Sequence, residues 1–211
     1  MPTKDQLRRW ARRALVEARW YARLLALPPR VALFQARARR LAWRSGDMFS
    51  LTSVTRPADL RSLLTLARGR RRVVELGTAT GWTAISLALA DPARTVSTLD
   101  VVKREEPLRY LRLVGDSVRT RVELEIRDGA QGPLDEVPVD LLYIDSSHQR
   151  ESTIAEVLAW RPVLAPGATI AFDDYANPDY QGVREAIAEL GLAGVQRGTM
   201  FVHTVPEQPG V

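Results

Sequence analysis

Val73-Val74-Glu75-Leu76-Gly77-Thr78-Ala79-Thr80-Gly81-Trp82 is the stretch on which the fold turns. A β-branched run opening at Arg72 leads into Gly77, and an apolar helical pattern, Thr83 to Ala90, starts just past Gly81. Glycines at a strand-to-helix turn let the chain reverse tightly and let backbone approach a ligand. Asp100 follows Gly81 by 19 residues and closes a second strand that opens at Thr95. A carboxylate at that place can accept hydrogen bonds from both ribose hydroxyls, so the arrangement points to an adenosine-containing cofactor. A dinucleotide site needs G-x-G-x-x-G, because a pyrophosphate must lie on amides at a helix N-terminus. Here the spacing is G-x-x-x-G with Glu75 ahead of it. A carboxylate there opposes a pyrophosphate and suits a cofactor that carries an amino group.

Working outward, the pattern repeats. Glu106 to Val114 reads as a helix, Arg121 to Ile126 as a third strand, and Asp140 to Ile144 as a fourth, apolar from Leu141 on. A helix from Gln149 to Trp160 is closed by Pro162 and followed by a fifth strand, Thr169 to Phe172. Gly182 to Leu190 is helical, and Gly194 to Gln196 with Met200 to Val205 predicts a closing hairpin. Short buried strands alternating with helices mean an α/β fold: a doubly wound sheet, mostly parallel, with a C-terminal antiparallel hairpin.

Toward the N-terminus, Leu7, Trp10, Ala14, Ala18, Tyr21 and Leu25 recur at three- and four-residue steps, giving one helical stripe. Pro28-Pro29 ends that helix. An arginine-rich helix from Val31 to Arg44, a turn at Ser45-Gly46-Asp47 and a helix from Pro57 to Ala67 follow. Residues 1–44 carry 12 Lys/Arg against 2 Asp/Glu, a net +10, whereas the rest carries 18 against 23, a net −5. We therefore divide the chain into a basic helical extension, 1–48, and a cofactor-binding domain, 49–211. The extension's stripe is expected to pack on the body or on a second subunit in a homodimer. A basic amphipathic helix can also lie against an anionic membrane surface. The body is mildly acidic, and no nucleic-acid partner is expected.

The chain has no cysteine, so a disulfide framework, a thiolate metal site and a cysteine nucleophile are excluded. No apolar run approaches the length of a membrane span, and no secretory signal pattern opens the chain, so a soluble cytoplasmic protein is expected.

The other chemistry-bearing residues fall at strand ends. The fourth strand runs into Asp145-Ser146-Ser147-His148 and the fifth into Asp173-Asp174-Tyr175. In an open parallel sheet ligands bind beyond the carboxyl ends of the strands, near the point where strand order reverses. Neighbouring fourth and fifth strands would bring Asp145, Asp173 and Asp174 together. Three carboxylates in a small volume repel unless protonated or neutralised, and a hard divalent cation such as Mg²⁺ is the natural neutraliser. His148 beside them is a candidate general base, with Asp145 as its catalytic partner. The alternative is structural: Ser146-Ser147-His148-Gln149 fits a capping box and the aspartates fit turns. His203 in the terminal strand reads as a packing or surface residue.

Glu75-Leu76-Gly77-Thr78-Ala79-Thr80-Gly81 resembles the E/D-x-G-x-x-x-G motif of class I S-adenosylmethionine-dependent methyltransferases, whose fold is Rossmann-like. The resemblance implies that Glu75, Gly77, Thr78, Gly81 and Trp82 border the methionine part of that cofactor. It also implies that Asp100 holds the ribose, that Asp128, Gly129 and Ala130 meet the adenine, and that Asp145 reaches the cofactor from the next strand end. The segments around Asp145 and Leu164 to Tyr175 are similar to a branch that includes catechol O-methyltransferase and the enzymes methylating macrolide sugars. For that branch the resemblance implies Mg²⁺ on Asp145, Asp173 and Asp174, and a hydroxylated small-molecule acceptor. The chain departs from many of its relatives at Ser146, Ser147 and Arg150, where they carry glycine, an acid and an aromatic. A metal-independent transferase of the same fold and a non-catalytic cofactor-binding protein are the competing readings.

Overall fold

β1 (Arg72–Leu76) is buried from Val73 onward and has a parallel neighbour on each side. β2 (Thr95–Asp100) pairs Leu99 with Leu76, and β4 (Val139–Ile144) pairs Ile144 with Leu76. Both registers finish level, so the residues just past the three strands emerge side by side. The computed structural model describes residues 3–207. Its sheet has seven strands in the order β3-β2-β1-β4-β5-β7-β6, with β3 at Val122–Ile126, β5 at Leu164–Phe172, β6 at Gly194–Arg197 and β7 at Met200–Thr204. The first five strands in that order are parallel and the last two pair antiparallel, as the sequence predicts. Strand order reverses between β1 and β4.

β5 starts earlier than expected. It was expected from Thr169, yet it runs from Leu164 through Pro166-Gly167. The register with β4 shifts between Val139 and Leu141, and Gly167 adopts φ 73° and donates to the Val205 carbonyl at 3.1 Å. Such an irregularity is where a strand tolerates these residues. The expected helix from Glu106 to Val114 stops early as α6 (Glu106–Leu111), and a second short helix that was not expected, α7 (Asp116–Arg119), follows with Gly115 at its cap.

Helices cover both faces. On one, α8 (Arg150–Trp160) and α9 (Gln181–Glu189) close over Val74, Leu142, Ile170 and Phe172 with Val157, Trp160, Val183 and Ile187. On the other, α4 (Pro57–Leu66) and α5 (Trp82–Ala90) pack Leu60, Leu63, Ala84 and Leu87 on Val73, Val96 and Leu141. Arg94 locks this side internally, donating to the carbonyls of Leu87 at 2.7 Å and Arg70 at 3.0 Å.

The N-terminal helices belong to this second face. α2 (Pro29–Ser45) buries Phe34, Ala38 and Ala42 in a cluster with Trp82, Ile85 and Tyr110. α1 (Lys4–Leu24) reverses the expected stripe: Ala14, Ala18, Tyr21 and Leu25 point to solvent, the last 88% exposed, while the side chains of Leu7 and Trp10 lie outside the described residues. Leu24 and Leu27 face the core instead, with Trp20 packed against it. The selecting partner is Arg39 of α2, almost fully buried, which donates to Glu17 at 2.8 Å and lies 4.3 Å over the Trp20 ring. Unneutralised, a buried guanidinium is costly, so the helix turns its only acid of the described side chains inward. A further helix, α3 (Met48–Ser53), was not expected; Asp47 caps it by accepting from the Ser50 amide at 2.9 Å. Among the described residues no helix is long and apolar enough to cross a membrane.

Candidate active site

Beyond the ends of β1, β2 and β4 lies a cavity of about 430 Å³. Gly77, Asp100, Asp128, Gly129 and Asp145 of the expected cofactor residues line it, joined by Phe49 and Arg104 at its rim. Gly77 is forced by packing as much as by any ligand: a Cβ there would stand 1.9 Å from the Asp145 carbonyl oxygen, at φ 102°. Asp100 is fixed by two backbone amides, accepting from Ala79 and from Val102, each at 2.9 Å. Asp128 accepts from the Ala130 amide at 2.9 Å, and Trp160 donates to the Gly129 carbonyl at 2.8 Å, holding the far wall. Arg104 stacks 4.3 Å from the Phe49 ring centroid, so the unforeseen α3 forms a roof over the cavity.

The remaining cofactor assignments do not reach this space. Trp82 is 1% exposed and packs edge-to-face on Tyr110 and Phe34, so it is a core residue. Gly81 caps α5, and Ala130 and Thr78 do not line the cavity. Glu75 lies beneath the loop: Thr98 donates to its carboxylate at 2.5 Å, and the Thr98 and Thr78 hydroxyls are 2.8 Å apart. Burial, reinforced by the charges of Asp145 and Asp100 against the Thr98 hydrogen bond, pushes Glu75 up to about 8. Its carboxyl therefore organises the loop from below, neutral near pH 7, and does not face a ligand amine.

A second, more polar cavity of about 510 Å³ adjoins the first, sharing Ala79, Asp145, Ser146 and Ser147. Here Asp145, His148, Asp173 and Asp174 do come together. The Asp173 amide donates to Ile144 at 2.9 Å, which sets β5's end beside β4's. His148 Nε2 lies 3.4 Å from Asp145 and 3.7 Å from Asp174, and its ring stacks on Tyr180 with centroids 4.4 Å apart. Burial opposes the imidazolium, but Asp145, Asp174 and Asp173 outweigh it and raise the His148 pKa. Burial and the neighbouring carboxylates push Asp173 up to about 8. The capping box does not form: Gln149 is the N-cap of α8, without a side-chain bond, and Ser146 donates to Glu156 at 2.8 Å.

The donor chemistry of the three aspartates suits a hard divalent cation, and the buried Oδ1 of Asp173 has no partner. Even so, among the described residues no three acid or histidine side chains are grouped closely enough to hold a metal ion. The His148 ring stands between Asp145 and Asp174.

Three non-glycine residues of those described have positive φ: Ala79 at 42°, His148 at 58° and Asp174 at 53°. All three line the polar cavity. Left-handed backbone outside glycine costs free energy and persists where surrounding structure over-determines it, commonly at functional sites. Sequence reasoning named His148 and Asp174 but missed Ala79, and also Thr55, Asp59, Tyr180 and Thr199 on the same walls. No local pattern marks those four as site residues, since they converge from separate loops.

Two adjoining cavities, one lined by Gly77, Asp100 and Asp128 and the other by His148, Asp173 and Asp174, thus meet where the strand order reverses. Residues 74–175 match the family model described as a methyltransferase domain, and the fold agrees. The tomaymycin-synthesis O-methyltransferase TomG of Streptomyces achromogenes, solved in complex with SAM, superposes with TM-score 0.60 at 22% identity over 83% of this chain and 90% of that one. Cofactor-bound Rv0187 from MTB gives 0.62 at 23% identity, covering 82% and 91%. A Bacillus cereus O-methyltransferase in complex with SAH gives 0.62 at 17%, covering 82% and 90%. No curated protein matches the sequence. The chain thus carries a match to a methyltransferase domain over residues 74–175 and shares the fold of known O-methyltransferases.

Proposed function

We propose that the chain transfers the methyl group of S-adenosylmethionine to a hydroxyl oxygen of a small polar acceptor. One observation carries this reading: the two cavities meet at Ala79, Asp145, Ser146 and Ser147, with His148 on the acceptor side. The known O-methyltransferases of the same fold support it. The cofactor supplies a methyl already activated on a sulfonium, which departs as a neutral thioether. The protein's task is alignment and exclusion of water. Asp100, held by two amides, takes the ribose, and the Asp128–Gly129 wall takes the adenine. The acceptor hydroxyl lies against His148, whose Nε2 receives the proton as the oxygen–methyl bond forms. Asp145 and Asp174 stabilise the resulting imidazolium. Mg²⁺ would be held by Asp145, Asp173 and Asp174 only if these carboxylates closed together from their present arrangement, and it would then supply positive charge that lowers the acceptor's pKa.

Calorimetric titration with S-adenosylmethionine, with NAD⁺ as control, tests the class. Binding of the first and not the second is expected, and no binding of S-adenosylmethionine overturns the reading. In an acceptor screen over polyols and catechols, turnover lost to chelator and restored by Mg²⁺ is the expected result. Turnover that persists without divalent metal removes the ion and leaves His148 and the aspartates as the whole apparatus.

A further inference from the structure

Next to the acceptor pocket, and sharing Arg56, Asp59 and Thr199 with it, lies a cavity of about 700 Å³ that the methyl-transfer reading does not use. Four arginines line it: Arg23 from α1, Arg56 and Arg61 from α4 and its cap, and Arg197 from the end of β6. Several arginines elsewhere have partners. Arg39 takes Glu17, Arg94 and Arg121 take carbonyls, and Arg127 takes Glu125. The cleft's four guanidinium groups have no hydrogen bond or ion pair among the described residues, and all four residues are exposed. Asp59 is the only acid lining the cleft, and its Oδ1 accepts from the Thr199 amide at 3.4 Å.

Like charges gathered without counter-charge repel, and guanidinium forks are matched in geometry to phosphoryl oxygens. The N-terminus of α4 opens onto the same space with Arg56 at its cap, and no side chain caps its amides. The helix dipole adds positive potential there, offset in part by the Asp59 carboxylate in the same first turn.

We propose that Arg23, Arg56, Arg61 and Arg197 bind the phosphoryl group of the methyl acceptor, so that the substrate is a phosphorylated small molecule whose hydroxyl enters the adjoining polar pocket. This rests on the methyl-transfer reading for the word acceptor, while the anion site stands on the arginines alone. It also gives the basic N-terminal helix a role, since Arg23 reaches the cleft from α1.

The test is calorimetry on the full-length protein with inorganic pyrophosphate, and with glucose 6-phosphate against glucose. Pyrophosphate is expected to bind and to displace the sugar phosphate, and glucose is expected to bind at least about tenfold more weakly than its phosphate. Arg61→Gln/Arg197→Gln should weaken pyrophosphate at least about tenfold, and raised salt should weaken it in the wild type. S-adenosylmethionine affinity should stay within about twofold in the same variant, which shows that it is folded. The single variants, each weakening pyrophosphate by about threefold or more, give a second reading if the double variant is unstable. No binding of pyrophosphate, or equal binding in the variants, overturns the anion site. Pyrophosphate that binds without displacing glucose 6-phosphate makes it a free-anion site and overturns the acceptor assignment. Failure of S-adenosylmethionine to bind would instead strike the methyl-transfer reading and leave the pyrophosphate result standing.

Discussion

Glu75 and Gly77, two residues apart, show how the loop works. The glycine lets the turn press onto the Asp145 carbonyl, and the glutamate fills the space beneath, tied through Thr98 to Thr78. A carboxyl raised to about 8 in the folded protein ionises at its ordinary, lower pKa in the unfolded chain. Its contribution to stability is then complete below that ordinary value and is lost as pH climbs through 8, by at most about 1.4 kcal/mol per pH unit. Glu156, raised to about 7 by burial, and Asp173 act in the same direction. Wild-type stability, followed by urea denaturation, should fall between about pH 5 and 8 and level off above that, and Glu75→Gln should flatten part of that fall. An unchanged slope would mean that Glu75 is ionised as folded. His148→Gln should cost about a hundredfold or more in kcat with S-adenosylmethionine affinity within about twofold. Equal loss of cofactor affinity would make His148 a structural residue. At this scale the sequence was legible where a residue type is forced: Gly77, Asp100 and the strand-end aspartates. It misled at Trp82 and Glu75 because a motif fixes a residue's place along the chain but not which way its side chain points. Ala79 was invisible, since a left-handed alanine leaves no mark in composition.

Elements matter most in the roof. α3 has six residues, too few to stand on intrinsic propensity, and it had no periodic signal to reveal it. It exists because Asp47 gathers four donors: the Ser50 amide at 2.9 Å, the Ser50 hydroxyl at 2.7 Å, the Tyr110 hydroxyl at 2.7 Å and Arg109 at 3.1 Å. Burial works against its charge, but the bonds from Tyr110 and Ser50 and the Arg109 charge win and hold its pKa below the usual range. Removing that carboxylate leaves the Tyr110 hydroxyl and the cap unsatisfied and frees Phe49 from Arg104. Asp47→Ala is expected to lower stability by about 2 kcal/mol and to weaken S-adenosylmethionine several-fold. Stability lost with cofactor affinity intact would separate the cap from the roof. Helix α1 makes the complementary point. Its apolar periodicity located the helix correctly but chose the wrong face, because Glu17 and Trp20 are drawn inward by Arg39 of a different helix. A tertiary partner of that kind cannot be read from one helix's pattern.

For the whole molecule, charge and packing divide the chain differently. By charge, residues 1–44 stand apart at +10. By packing, α2 is a layer of the core, and its Phe34, Ala38 and Ala42 share one buried cluster with Trp82, Ile85 and Tyr110. The neighbouring of β4 and β5, the sheet's parallel body and its hairpin were legible because buried strands and crossover helices repeat a pattern. The integration of α2 was not, since its buried face mixes Val31, Phe34, Ala38 and Ala42 with the polar Gln35 and Arg39. If packing governs, Phe34→Ala should destabilise the entire protein by about 3–5 kcal/mol, as a sheet-core truncation does. Leu25→Ala, on a side chain 88% exposed, should change stability by less than about 0.5 kcal/mol. Urea denaturation followed by Trp fluorescence and by far-ultraviolet dichroism should give coincident single transitions for both variants. Deletion of residues 1–46 should leave a chain that neither stays in solution nor binds S-adenosylmethionine. A truncated chain that folds and binds would mean that charge had marked a separable unit after all, and that α2 lies on the core without completing it.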